Sequence, residues 1–297
     1  MEIKVDLKEE INRLSYLTKF SSRLIEKDYY LTLILHEISN KKIPDLVFKG
    51  GTCLNKCYLG FYRLSEDLDF IINKDFTNTS NTQLKKLLDN LRRELFEIFD
   101  ILNLNINKKI GEGWKMIHSD ENKIIGFEAI TNYKSIFDGT KQEIKIEISF
   151  RNKLIEKTKT RIIKHEFFNS LNKPLLKENV TIECIDLKEN FAEKIRALIT
   201  RENIAIRDIF DIYIILSRDL IKVDKKFIKL CLIKINETKT YNENDLYEFI
   251  NNLDKIDINE KELYSVLKSS SDYKLKDLIK VIQNHLLPKS LREAPIK

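Results

Sequence analysis

Hydrophobic and polar positions follow two regimes along this chain, and the change from one to the other sets the expected architecture. From Leu24 through Leu31 to Ile38 apolar residues recur at helical spacing with no helix breaker, which predicts a helix packed against the next elements of the chain. Leu46-Val47-Phe48 reads as a short strand, Thr52 to about Gly60 as a helix, and Asp67-Leu68-Asp69-Phe70-Ile71-Ile72 as a second strand. After a polar stretch rich in Asn and Thr, Leu84 to Leu102 supplies a long amphipathic helix. From about Lys109 to Arg151 the period shortens toward two. The clearest case is Glu143-Ile144-Lys145-Ile146-Glu147-Ile148-Ser149-Phe150, with Glu143, Lys145, Glu147 and Ser149 on one face. Further strands are expected near Thr160 to Ile163 and Val180 to Cys184, after which the pattern is helical.

This pattern predicts an α+β chain with a boundary near Asp186: a strand-bearing domain over 1–185 and an all-helical domain over 186–297. Asp186 can cap the first helix of the second part, with Glu189 three residues on in the manner of a capping box. Phe191, Ile195, Leu198 and Ile199 form its apolar stripe. Lys194 and Arg201 lie two turns apart on another face, from which both can reach into a cleft between the halves. A helix over Ile206 to Ser217 carries Asp208 and Asp211 near its start. The acids and lysines from Glu260 to Lys280 form no cluster and read as solvated helix faces.

Composition narrows the picture only a little. The 297 residues suffice for one large or two ordinary domains, and 7 glycines with 4 prolines imply frequent helices and short linkers. A net charge of +6 favours a polyanionic partner without requiring one. Cys53, Cys57, Cys184 and Cys231 form no CxxC array, and no leader precedes the first charged residues, so a cytoplasmic protein with reduced thiols is expected. Cys53 and Cys57, one helical turn apart, have no histidine near them and read as small apolar residues on the buried side of the Thr52 helix. No apolar run approaches the roughly 18 residues of a membrane span, so a soluble protein without membrane contact is expected.

The chemistry concentrates in Phe48-Lys49-Gly50-Gly51-Thr52 and Arg63-Leu64-Ser65-Glu66-Asp67-Leu68-Asp69. The glycine pair lets the backbone turn sharply and approach a ligand, and a helix starting at Thr52 would turn its unpaired N–H groups toward a phosphate. Asp67 and Asp69 point to the same side of a strand. Two neighbouring carboxylates repel unless a cation neutralises them, and magnesium with a nucleotide phosphate suits all-oxygen ligands. Nucleotidyl transfer would use two such ions, with a third carboxylate to complete the site. Glu147, on the polar face of the cleanest strand, is the chosen third acid and Glu143 its substitute; the competing reading makes Glu147 and Lys145 an exposed cross-strand pair. Ser65 and Arg63 can bind phosphate, or Arg63 can pair with Glu66. Lys194 suits a triphosphate or is one lysine of a solvated helix; Asp208 and Asp211 can position substrate or base, or stabilise a helix start. His36, His118, His165 and His285 are scattered, and no GxxxxGK[ST] loop is present.

In order and spacing, Phe48-Lys49-Gly50-Gly51-Thr52-x-Leu54 with Tyr58, then Arg63-x-Ser65-x-Asp67-x-Asp69, resemble the AbiEii/AbiGii-type nucleotidyltransferase toxins of abortive-infection and toxin–antitoxin systems. Glu26-Lys27-Asp28-Tyr29-Tyr30 is similar to the family's N-terminal helix. Glu193-Lys194-x-x-Ala197-Leu198 with Arg201, then Arg207-Asp208-x-x-Asp211, is similar to its C-terminal helical motif. The resemblance implies a polymerase-β-like core, a mixed sheet flanked by helices, with a helical C-terminal domain. It implies that Asp67 and Asp69 bind metal, that Gly51, Thr52 and Ser65 line the phosphates, and that Lys194 and Asp211 act at the nucleotide. Gly50, Arg63 and Asp208 complete the expected nucleotide site. It also implies a magnesium-dependent enzyme that moves NMP from an NTP to the acceptor end of tRNA, encoded beside an antitoxin. The competing readings are transfer to a protein hydroxyl or small molecule, and a non-catalytic nucleotide- or RNA-binding protein on the same scaffold.

Overall fold

The computed structural model describes residues 7–119, 121–150, 153–169, 171–259 and 273–289. Contacts divide the chain into two compact units, Met1–Ile185 and Asp186–Lys297.

The first unit opens with α1 (Leu7–Thr18) and α2 (Ser22–Lys41). The helix expected over Leu24 to Ile38 lies within α2, and the break that separates it from α1 uses neither glycine nor proline: Lys19 adopts a left-handed backbone and the Ser21 side chain accepts from the Leu24 N–H. A fresh N-cap costs less than leaving the first N–H groups of α2 unpaired. Next along the chain are β1 (Leu46–Lys49), α3 (Gly50–Cys53) running on as a π-helical turn (Leu54–Leu59), β2 (Asp67–Ile72) and α4 (Asn81–Ile101). In α4 Ser80 and Gln83 form a capping box, and Leu84, Leu88, Leu91, Leu95, Ile98 and Phe99 bury one face. Each such apolar side chain contributes on the order of 1.5–3 kcal/mol.

The remaining strands are β3 (Asn105–Ile106), β4 (Trp114–His118), β5 (Ile124–Lys134), β6 (Lys141–Ser149), β7 (Lys159–Ile162) and β8 (Thr181–Cys184). They join β1 and β2 in one mixed sheet of order β3-β5-β6-β2-β1-β8-β7, with β4 also on β5. The pairs β2·β6 and β1·β8 are parallel and the others antiparallel. Because strand side chains alternate, Phe48, Leu68, Phe70, Ile146, Ile148 and Phe127 fall on one face, where they are buried. Helices α2 and α4 pack on this side, Tyr30 of α2 stacking on Tyr133 of β5 at 4.0 Å between ring centres. The opposite face carries the charged residues.

Two buried carboxylates on α2 fix it to this scaffold. Glu26 accepts from Ser135 Oγ (2.8 Å) and the Ile136 N–H (2.7 Å) at the β5–β6 hairpin. Asp28 accepts from Lys56 Nζ (2.6 Å), which also donates to Thr32 Oγ1 (2.9 Å). Both partners of the Asp28–Lys56 pair are almost wholly buried.

The second unit contains α5 (Leu187–Thr200), α6 (Ile206–Ser217), α7 (Lys225–Asn236), α8 (Glu243–Asn251) and α9 (Leu275–Leu286). Asp186 caps α5 as expected, through the Lys188 N–H (2.8 Å), and the buried Glu189 carboxylate meets Lys234 of α7 at 2.6 Å. The stripe Phe191, Ile195, Leu198 and Ile199 is buried, with Phe191 stacked on Phe227. The expectation of a solvated helix face over 260–272 lies outside the described residues. Among the described residues no helix is long and apolar enough to cross a membrane.

Candidate active site

The Gly50–Gly51 turn and the two acids of β2 meet on the charged face of the sheet. Lys49 pairs with Asp69 across antiparallel strands, so the turn leaves β1 directly beside the second acid. Gly50 has φ +78°, and a Cβ placed there would stand 2.3 Å from Asp69 Oδ2. A side chain at this position is excluded both by backbone conformation and by the carboxylate. At Gly51 a Cβ would lie 2.7 Å from Arg63 Nη2 and 3.2 Å from Ser65 Oγ. The two glycines thus let the backbone nest against Asp69, Ser65 and Arg63, as their order in the sequence implies.

Helix α3 begins at Gly50, two residues earlier than expected. The buried Thr52 hydroxyl donates to the Asp67 carbonyl. This commits its proton to tying α3 to β2, so what Thr52 offers a phosphate is its backbone N–H. Arg63 is 2% exposed, with Nη1 donating to the Leu64 carbonyl (2.9 Å); Glu66, its alternative partner, meets Lys27 at 2.9 Å. Arg63 therefore acts beneath the turn, shaping it from below. The π-helical turn, closed by the Gly60 N–H on the Asn55 carbonyl (3.0 Å), directs Asn55 onto the Arg63 carbonyl and Lys56 onto Asp28.

Strand register assembles the acids. In the parallel β2·β6 pair, Asp69 lies opposite Glu147 and Asp67 opposite Lys145. On the far side of β6, Glu147 faces Glu128 of β5, which faces Lys115 of β4. One row across the sheet therefore reads Lys49, Asp69, Glu147, Glu128, Lys115, with neighbours about 4.8 Å apart. Glu143 lies opposite Asn132, beyond the end of β2, and is exposed, so the register puts Glu147 rather than Glu143 beside Asp69.

Such a row of like charges needs cations. Glu128 meets Lys115 at 2.9 Å and Lys145 at 3.1 Å, and Lys145 is 3.5 Å from Glu147. Partial burial pushes Glu128 up, but hydrogen bonds from Lys115 and Lys145 outweigh it and hold the carboxyl below its ordinary range. The same burial disfavours the Lys145 ammonium, which its hydrogen bond to Glu128 and the charges of Glu128, Glu147 and Asp67 more than offset. The Lys145–Glu147 contact expected across strands instead runs along one strand, since both residues lie on β6 two positions apart; Lys145, opposite Asp67, flanks the row from the next position. Glu128 is absent from the motifs read in the sequence; its signal is a single acid inside the apolar run Ile124 to Ile130.

The donor chemistry fits a hard divalent cation. Asp67, Asp69 and Glu147 are all-oxygen ligands on one face, partly exposed, and the Asp69 carboxylate stands against a backbone turn with no Cβ in the way.

The expected residues of the second unit gather in a cluster of their own. Lys194 Nζ meets Asp208 (2.7 Å) and Asp211 (2.9 Å), and Arg201 meets Asp208. Asp211, expected to act at the nucleotide, is fully buried with its carboxylate 2.9 Å from Lys194 Nζ. Asp208 lies in the first turn of α6, as expected, and has two cationic partners there.

Comparison with known proteins gives the family and the fold. The sequence matches the family described as "Nucleotidyl transferase AbiEii toxin, Type IV TA system" over residues 34–282. No curated protein matches it. The fold is similar to that of JHP933 from Helicobacter pylori, at 16% identity and a TM-score of 0.51, covering 90% of this chain and 91% of that one. It is also similar to a second H. pylori structure, of a provisionally assigned nucleotidyltransferase, at 16% identity and a TM-score of 0.51, covering 90% and 94%. These two likenesses speak to the α+β fold, and the family match, spanning most of the chain, speaks to the activity. The chain belongs to the AbiEii family of nucleotidyltransferase toxins.

Proposed function

We propose that this chain is a magnesium-dependent nucleotidyltransferase toxin that transfers NMP from an NTP to the acceptor end of tRNA in the cytoplasm, countered by a cognate antitoxin. The observation that carries the reading is the Asp69 carboxylate lying between the Gly50 turn and Glu147, which sets a phosphate cradle beside an acid row. Asp67, Asp69 and Glu147 would hold the metal ions. When bound, these neutralise charge on the attacking and leaving oxygens and ease loss of the attacking proton.

The chain's own groups do the remainder. The Gly50–Gly51 turn and the first N–H groups of α3 receive the phosphates, the Ser65 hydroxyl donates to one of their oxygens, and Arg63 keeps the turn in shape. A terminal ribose hydroxyl attacks the α-phosphorus; the new P–O bond forms as the bond to the β-phosphate breaks, pyrophosphate leaves, and the hydroxyl proton passes to Glu147. Lys194 is the proposed phosphate ligand of the helical domain 186–297, with Asp208 and Asp211 as the residues that position it. A lysine suits that role as a compact point charge.

The surplus of Lys and Arg supports an RNA acceptor. The test is to incubate the protein with magnesium, total tRNA and NTP labelled at either the α- or the γ-phosphate. Label in tRNA from the α-phosphate alone is expected. Label from the γ-phosphate, label only in protein, or no label with any of the four NTPs overturns the reading.

A further inference from the structure

Behind the glycine turn, on the side away from the acid row, three thiols converge. Cys53 closes α3, Cys57 lies one turn on, and Cys184 ends β8; their Sγ atoms are all within 4.8 Å of one another and all three side chains are buried. The sequence shows Cys53 and Cys57 as neighbours on a helix. Cys184 joins them because β8 pairs in parallel with β1, Phe48 opposite Cys184, and the Ile185 N–H donates to the Phe48 carbonyl at 2.9 Å. Tyr58 stands at the rim, its hydroxyl donating to the Ile185 carbonyl and lying 3.6 Å from Cys184 Sγ. The Arg161 guanidinium sits over the Tyr58 ring, 5.3 Å from its centre.

We propose that Cys53, Cys57 and Cys184 form a binding site for one soft closed-shell cation, Zn2+ or Cu+, with the Tyr58 hydroxyl as the nearest group for a fourth position. Buried free cysteines commonly pack as small apolar residues, and a lone one carries no such inference. Three from two elements far apart in sequence, with sulfurs this close, match a ligand set. Thiolate–zinc bonds of about 2.3 Å in a tetrahedron place sulfurs roughly 3.8 Å apart, so sulfurs within 4.8 Å of one another need close by no more than about an ångström. For zinc the balance is three thiols plus Zn2+ giving a trithiolate complex of charge −1 and three protons released to solvent; nearby Arg161 and Lys56 favour that charge. Cys53 comes directly after Thr52, so an occupied site would brace the phosphate turn from behind and join β8 to α3.

The test uses full-length protein under a non-thiol reductant and needs no nucleotide or acceptor, so it stands or falls apart from the transfer reaction. Co2+, as a zinc surrogate, is titrated into the wild type and into Asp67→Asn/Asp69→Asn. A thiolate-to-cobalt charge-transfer band saturating at one equivalent in both, displaced by Zn2+, retained in Cys231→Ser and lost in Cys184→Ser, is expected. Because Cys184→Ser could fail to fold for reasons of packing, the wild type is also melted with buffered Zn2+ and, separately, with chelator-buffered Cu+. A rise in Tm saturating at one equivalent with either ion is expected, and the ion that gives it is the one bound. Neither band nor Tm shift with either ion, a band that survives Cys184→Ser, or a disulfide between two of the three cysteines in freshly purified protein overturns the proposal.

Discussion

At the scale of single residues, the site depends on contacts that leave no room. Gly50 adopts φ +78° with the Asp69 carboxylate where a Cβ would go. In Gly50→Ala the left-handed backbone alone costs about 1–2 kcal/mol, and the methyl displaces the carboxylate. A catalytic group misplaced by an ångström loses on the order of 10²-fold. Transfer is expected to fall by about that much while the melting temperature drops only modestly; a variant with wild-type turnover would remove Asp69 from the site. His36 shows the same intolerance in a pH-dependent form. It is buried on α2 with its ring 6.3 Å from that of His165, and burial, then the charges of His165, Lys56 and Lys177, bring it down to about 4. Its folded value is below its unfolded value near 6.5, so the unfolded chain takes up the proton first. Stability from this group is therefore full above pH 6.5 and falls as pH drops toward 4. Thermal melts across that window should show a shallower slope in His36→Leu than in the wild type, and an unchanged slope would contradict the assignment.

At the scale of elements, the helix α2 and the glycine-turn helix are joined by a buried charge pair. Lys56 reaches Asp28 at 2.6 Å where water does not penetrate. Burial pushes the Asp28 carboxyl up and Lys56 opposes it. Lys56→Met leaves that acid buried without its cation and should destabilise the protein by about 3–5 kcal/mol. Adding Asp28→Asn should recover much of the loss, and a double variant as unstable as the sum of the singles would show that the pair is not coupled. Elements are also where the legibility of the sequence is clearest. Period-two alternation is local, so it reveals that Asp67 and Asp69 share a face and that Glu147 lies on the polar side of β6. The pairing of Asp69 with Glu147, and of Glu147 with Glu128, is set by strands that meet through parallel and hairpin registers, about which local periodicity is silent. The break between α1 and α2 is equally hidden, because Lys19-Phe20-Ser21 contains no residue that must end a helix. Lys194, Asp208 and Asp211 are visible as charged positions on two helices, but their mutual pairing depends on how α5 and α6 pack.

At the scale of the whole molecule, the family and the α+β fold follow from short motifs, while the proposed acceptor rests on a diffuse property, the net charge of +6. Contacts to an RNA backbone make affinity fall with salt. At a slope of about 0.9 per phosphate contact, three contacts give roughly a fortyfold weakening over a fourfold rise in salt. The KM for tRNA should therefore climb steeply between low and moderate salt, and a KM that does not move would favour a protein or small-molecule acceptor. The central claim, nucleotide transfer by an acid set fixed by strand register, is tested most directly by initial rates of α-label incorporation into tRNA for the wild type, Asp69→Asn, Glu147→Gln and Glu143→Gln. The ions these acids are proposed to hold would supply several kcal/mol at tenfold per 1.4 kcal/mol, so Asp69→Asn and Glu147→Gln should each lose about 10²-fold or more while Glu143→Gln stays near the wild type. Loss at Glu143 with Glu147 spared, or full activity in Asp69→Asn, would contradict the account.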